Sequence, residues 1–164
     1  PLGVLAYVLG GGESARLHRR VVYELLLASF AVADYNPVYK DPNLFGLSAG
    51  PLPGRSADEV ERAVTAEVER IQTEPIPDRE LQKAKNQIEA EFVFAQDSVH
   101  MLASLLGAYE CAASWKLLPT YLDGIRAVTA ADVQRVARQY LVADNRTVAI
   151  LIPKRPGGGA PDAK

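Results

Sequence analysis

The chain has 164 residues, 48% hydrophobic and 23% charged, with a formal net charge of −2. That length suits one domain with a single sizeable core, and the composition excludes a disordered or collagen-like chain. A near-neutral balance gives no basic face for nucleic acid, and a lone cysteine permits neither an internal disulfide nor a cysteine cage for a metal.

Leu2 to Leu9 (LGVLAYVL) is too short to type by periodicity; it reads as the end of a buried helix, with a strand as the alternative. The chain starts inside this apolar run at Pro1, so the reading is an N-terminally truncated domain over 1–153 that lacks its first strand. Gly10, Gly11 and Gly12 then permit backbone angles that a Cβ forbids, and let another chain come close. Ser14 stands where a helix N-cap belongs, with Ala15, Arg16 and Leu17 opening the first turn. Leu17, Val21, Glu24 and Leu25 share one side of this helix, while Arg16, Arg19, Arg20 and Tyr23 point elsewhere as a solvated face.

Leu26 to Tyr35 alternates as a strand, with Ala28, Phe30 and Val32 on one side and Ser29, Ala31 and Ala33 on the other. Asn36-Pro37 and Asp41-Pro42-Asn43 mark a loop. Leu44 to Ala49 is a second strand, antiparallel to the first, in which Gly46 marks a bulge or a close backbone approach.

Ser56-Ala57-Asp58-Glu59 is a capping box opening a helix. Its buried side is Val60, Ala63, Val64, Val68 and Ile71, and its outer side includes Glu59, Glu61, Arg62, Glu67, Glu69 and Arg70. Pro75 and Pro77 break it, Asp78 caps the next helix, and Leu81, Ala84, Ile88, Phe92 and Ala95 form that helix's buried stripe. Asp97-Ser98 restarts a more apolar helix through Met101, Leu102, Leu105, Leu106 and Tyr109, expected to be buried on two sides. Trp115 to Val128 reads as one helix interrupted at Pro119, and Thr129 to Asp132 as a second capping-box start. Thr147 to Ile152 (TVAILI) is a continuous apolar run, expected as a central or well-covered strand, and 154–164 as a flexible tail. The order of strands, then helices, then a strand predicts an α+β domain: a small, mostly antiparallel sheet with helices layered on one face.

The glycine segment carries two competing functional outlines. Gly10 to Ala15 fits G-x-G-x-x-A, and Asp34 follows at the distance of a ribose-binding acid, as in a dinucleotide-binding unit. Against it, Glu13 puts a carboxylate where a pyrophosphate would sit, and the long helical middle breaks the required strand–helix alternation.

The other outline is a likeness. LGGGESARLHRRVVYE, followed by Leu27-Ala28-Ser29-Phe30, resembles the L-x-G-G-x-S-S-R-L-Y segment of the pitrilysin (insulinase-like) zinc metallopeptidases and mitochondrial processing peptidases. It is similar to the C-terminal, non-zinc-bearing type of domain in that family, and the likeness runs over nearly the whole chain in element order. The resemblance implies a non-catalytic, chamber-forming domain of an enzyme that hydrolyses peptides. Zinc would sit on an N-terminal domain outside this chain, and no cofactor would bind here. Gly10, Gly11, Gly12, Ser14 and Arg16 would form a glycine-rich loop facing the substrate chamber. Its implied partners are that N-terminal domain, a partner protomer or second half, and peptide substrates, with no nucleic acid and no membrane span. The alternatives are an interaction domain of a catalytically inactive relative and, less favoured, a dinucleotide-binding domain.

Residue chemistry agrees with an inactive domain. The family's zinc motif is H-x-x-E-H, whereas His18 and His100 stand alone in separate elements. Ser14, Ser29, Ser48, Ser98, Ser104 and Ser114 lack a nucleophile-elbow context, Cys111 reads as packed, and the acids around Glu59 and Glu91 read as solvated surface. The family's second-type domain can supply an arginine and a tyrosine seven residues apart. Aligned through Ser14-Ala15-Arg16-Leu17, those positions fall on Val22 and Ser29, which cannot do that work.

Overall fold

A computed structural model describes residues 1–152; the expected tail lies outside the described residues. Its elements are α1 (Leu2–Gly10), a π-helical segment (His18–Glu24), β1 (Ala28–Asp34), β2 (Gly46–Pro51), α2 (Ala57–Thr73), α3 (Asp78–Ala95), α4 (Val99–Ala112), a 3-10 stretch (Trp115–Thr120), α5 (Tyr121–Ala127) and α6 (Ala130–Tyr140).

Helix α1 has no polar face, and Val4, Leu5, Ala6, Val8 and Leu9 are all buried. A helix apolar on every side must be surrounded. Here α3, β1 and α6 pack around it, and Leu17, Val21, Val60, Ile71, Ile88, Val133 and Val136 complete the core. The remaining helices and the α1-facing side of the sheet form an α+β domain, as the element order implied. Helices α2 and α6 open on the predicted capping boxes, Ser56 with Glu59 and Thr129 with Asp132. They lock together where Gln72 Nε2 donates to the carbonyl of Ala137 (3.2 Å), which also accepts the Leu141 N–H, and to that of Leu141 (2.8 Å), just past the end of α6.

The sheet pairs β1 and β2 antiparallel, with Ala31 opposite Ala49 and Val32 opposite Ser48. A bulge between Ala28 and Phe30 corrects the predicted faces of β1. One extra residue on the bulged strand reverses the sides that follow it. Ala28 and Ala31 are therefore buried, while Phe30 and Val32 are exposed on the other face. The alanines on the inner face suit the close approach of α1.

Several other expectations are revised. Ser14 does not cap a helix: helical structure starts at Arg16, and the serine is bonded elsewhere. The following helix is wound as a π-helix, closed by Leu25 N–H donating to the Arg20 carbonyl at 3.0 Å, and Leu26 then adopts φ +51. A left-handed leucine costs about 1–2 kcal/mol. That conformation is held by the Leu27 N–H bond to Val21 O at 3.0 Å and by Leu52 N–H to Leu27 O at 2.9 Å. Asp78 is the first helical residue of α3 and not its cap; Pro77 occupies the cap position. Trp115 to Val128 is two pieces, 3-10 and then α, with Pro119 inside the first because it has no N–H to continue an α-helix.

Glu67, expected outside, is buried against Arg70 Nη1 (3.0 Å) and within 4.0 Å of Arg20 Nε, so its charge is paired as burial requires. Helix α4 buries no residue, because it packs chiefly on the 3-10 stretch that follows, and Cys111 on it is exposed. Thr147 to Ile152 is not a strand: among the described residues it pairs with nothing, and Leu151 and Ile152 are 93% and 80% exposed. Strand propensity gives a ladder only where a neighbouring strand supplies the partners.

Candidate functional site

The glycine corner is fixed by one face of α3. Glu80, Lys83 and Gln87 are spaced three and four residues apart, so they line up along that helix. Each holds one point of the loop. Gln87 Nε2 donates to the Gly11 carbonyl at 3.1 Å. Lys83 Nζ donates to both the carbonyl and the hydroxyl oxygen of Ser14. Arg16, buried, forms a bidentate pair with Glu80, Nε to Oε1 and Nη2 to Oε2, both at 2.8 Å. Arg16 therefore leaves the solvated face it was assigned to, while Arg19 and Arg20 pair with Glu24 near the surface.

The glycines have separate duties. A Cβ on Gly10 would lie 2.0 Å from Ala33 N and 2.6 Å from Val32 C, so Gly10 faces β1. Gly12 is exposed at φ +138, a conformation that selects glycine, and closes a turn in which Ala15 N–H donates to its carbonyl at 3.0 Å. Gly11 lies between them and lines a cleft.

That cleft has a volume of about 460 Å3 and opens between α1, the end of β1, α3 and α5. Its polar lining is Tyr7, Asp34, Tyr35, Asn36, Glu91 and Tyr121. Tyr7 donates its hydroxyl to Glu91 Oε2. Burial, reinforced by that bond, pushes the Tyr7 phenol up from its ordinary range, and burial with the Glu91 charge does the same to Tyr121. Both phenols therefore stay protonated at neutral pH. Asn36 and Asn43 brace the loop beyond β1 through the bonds Val38 N–H to Asn36 Oδ1 (2.9 Å) and Asn43 Nδ2 to Asn36 O (3.2 Å). Glu91, read from sequence as plain surface, is thus part of the site. Its signal was the aromatic and acidic residues brought together from distant elements, which no single stretch displays.

The other candidates are scattered. His100 is exposed on α4, and His18 is half-buried in the π-helical segment with its Nδ1 unpartnered among the described residues. No group of three or more His, Cys, Asp or Glu among the described residues is arranged to hold a metal ion. Val22 packs against the core, and the exposed Ser29 spends its hydroxyl on Gly50 O at 3.2 Å. The dinucleotide outline fails on the fold: the run before the glycines is helix α1 and not a strand, so Gly10 to Gly12 do not sit in a strand–glycine–helix turn.

Residues 1–88 match the family model described as the peptidase M16 inactive domain. The chain belongs to the M16 peptidase family, as an inactive-type domain. An uncharacterized zinc protease of Streptomyces coelicolor is 31% identical over 141 residues, covering 85% of this chain and 30% of that protein. The zinc protease PqqE of Helicobacter pylori is 28% identical, covering 93% of this chain and 34% of that protein. The chain thus spans about a third of the length of these curated relatives. The solved inactive peptidase domain from Bordetella parapertussis superposes with a TM-score of 0.85 at 27% identity, covering 98% of this chain and 86% of that one. The M16 assignment accounts for the glycine corner, α1 and the sheet, which all lie within the matched span.

Proposed function

We propose that this M16 inactive domain forms part of the wall of a peptide-hydrolysing chamber whose zinc is held by an N-terminal domain outside these residues. The observation that carries the proposal is the glycine corner: exposed Gly12 and half-exposed Gly11 offer bare backbone, held rigid by Gln87, Lys83 and the Arg16–Glu80 pair. A stiff, side-chain-free edge suits an extended polypeptide passing close by, because only glycine leaves room for that approach. The chain's own residues bind, orient and enclose; the zinc, supplied by the other domain, would polarise the scissile carbonyl and activate water.

The test is peptide cleavage by the 164-residue chain and by a longer polypeptide that includes the upstream domain. Chelator-sensitive turnover is expected from the longer polypeptide and none from the chain alone. Inactivity of both, with each folded and the longer polypeptide assayed together with its partner protomer, overturns the peptidase reading and leaves an interaction domain. Turnover by the chain alone overturns its non-catalytic role.

A further inference from the structure

The cleft beside Gly11 has a chemical character that wall-forming alone does not use. We propose that it receives the cationic side chain, lysine or arginine, of an extended polypeptide. This deepens the function proposed above, on which it rests only for the source of that polypeptide. Two carboxylates line the cleft, Asp34 from β1 and Glu91 from α3, and among the described residues no lysine or arginine does. Neither carboxylate takes part in any ion pair among the described residues. Glu91 spends one oxygen on the neutral Tyr7 hydroxyl, which orients the carboxylate without cancelling its charge.

Three tyrosine rings, Tyr7, Tyr35 and Tyr121, complete the lining. Aromatic faces attract ammonium and guanidinium groups, and carboxylates take the same groups by charge-assisted bonds. The volume of about 460 Å3 lies within the roughly 300–1,000 Å3 of small-ligand sites, so a long basic side chain fits. Gly11 forms part of the lining, so a chain crossing the bare glycines would carry a side chain directly into the cleft. An acidic ligand would meet two like charges, and an apolar one would leave both carboxylates stranded.

The experiment is fluorescence anisotropy of a labelled extended peptide with a central arginine, titrated with the 164-residue chain. The comparison peptides carry citrulline, which keeps the shape and loses the charge, or glutamate at that position. The arginine peptide should bind, and citrulline should weaken binding at least about tenfold, the scale of one lost charge-assisted contact. Glu91→Gln and Asp34→Asn should each weaken the arginine peptide severalfold and leave the citrulline peptide unchanged. Both variants keep a polar side chain of the same shape, and thermal melts check that they fold. Equal binding of arginine and citrulline peptides to the unaltered chain overturns the proposal, as does undetectable binding of the arginine peptide. Because no proteolysis is read, failure here leaves the peptidase assignment intact, and failure of turnover in the longer polypeptide leaves this result intact.

Discussion

Replacing Gly10 with alanine should be among the most damaging single-methyl changes in this domain. The added Cβ would lie 2.0 Å from Ala33 N, 2.6 Å from Val32 C and 2.9 Å from Ala33 Cα. All three are backbone atoms of β1, so no side-chain rotation relieves the clash. The last turn of α1 must move away from the sheet, and α1 is the element the core is built around. Overpacking a dense core costs about 1–3 kcal/mol and sometimes more. With rigid backbone on the receiving side, a loss of about 3 kcal/mol or more is expected. Denaturant unfolding reads it directly. Gly3, on the same helix, has open space where a methyl would go, with nothing within 4 Å, so Gly3→Ala should be neutral or stabilising by up to about 1 kcal/mol. Equal effects at the two glycines would refute the close approach of α1 and β1.

Arg16→Ala should be the second large effect, through a different mechanism. Breaking a fully buried ion pair costs about 3–5 kcal/mol, chiefly because the remaining charge is stranded. The Arg16 side chain is 9% exposed but that of Glu80 is 28% exposed, so water recovers part of that cost and about 2 kcal/mol is expected. For a domain of this size, that is a drop of roughly 4–8 °C in thermal midpoint. Arg16→Lys should recover only part of it, since an ammonium cannot match both carboxylate oxygens at once. The double variant Arg16→Ala with Glu80→Ala should be less destabilised than the sum of the single changes. Strict additivity would mean that the pair does not hold the corner.

What the sequence made legible was local. The two capping boxes need only four adjacent residues each, and both helices start where those residues stand. The apolar run Leu2 to Leu9 was readable as the end of a buried helix with a strand as its alternative, and alternation marked β1 as a strand. What stayed hidden depended on partners. The bulge in β1 is an event between two strands, and it turned Phe30 and Val32 outward. Glu67 looks like any surface acid until Arg70 closes on it, and Arg16 like any surface cation until α3 brings Glu80 to it. Hydrophobicity promised burial for α4 and for Thr147 to Ile152, yet burial requires a covering surface, and the described residues supply none. Of the glycine corner only the turn at Gly12, φ +138, was legible as backbone geometry; Gly10 is helical, and its tight contact with β1 is set by a partner element. The acidic, aromatic cleft was not, since its residues come from separate elements far apart in the chain.

The proposed function stands or falls on the reactive metal being held outside these residues. Zinc content after equilibration with zinc and exhaustive dialysis tests this, on the 164-residue chain and on a longer polypeptide carrying the upstream domain. No retained zinc is expected on the chain, and about one ion on the longer polypeptide. Zinc held stoichiometrically by the chain alone, and lost on substituting His18 or His100, would contradict it.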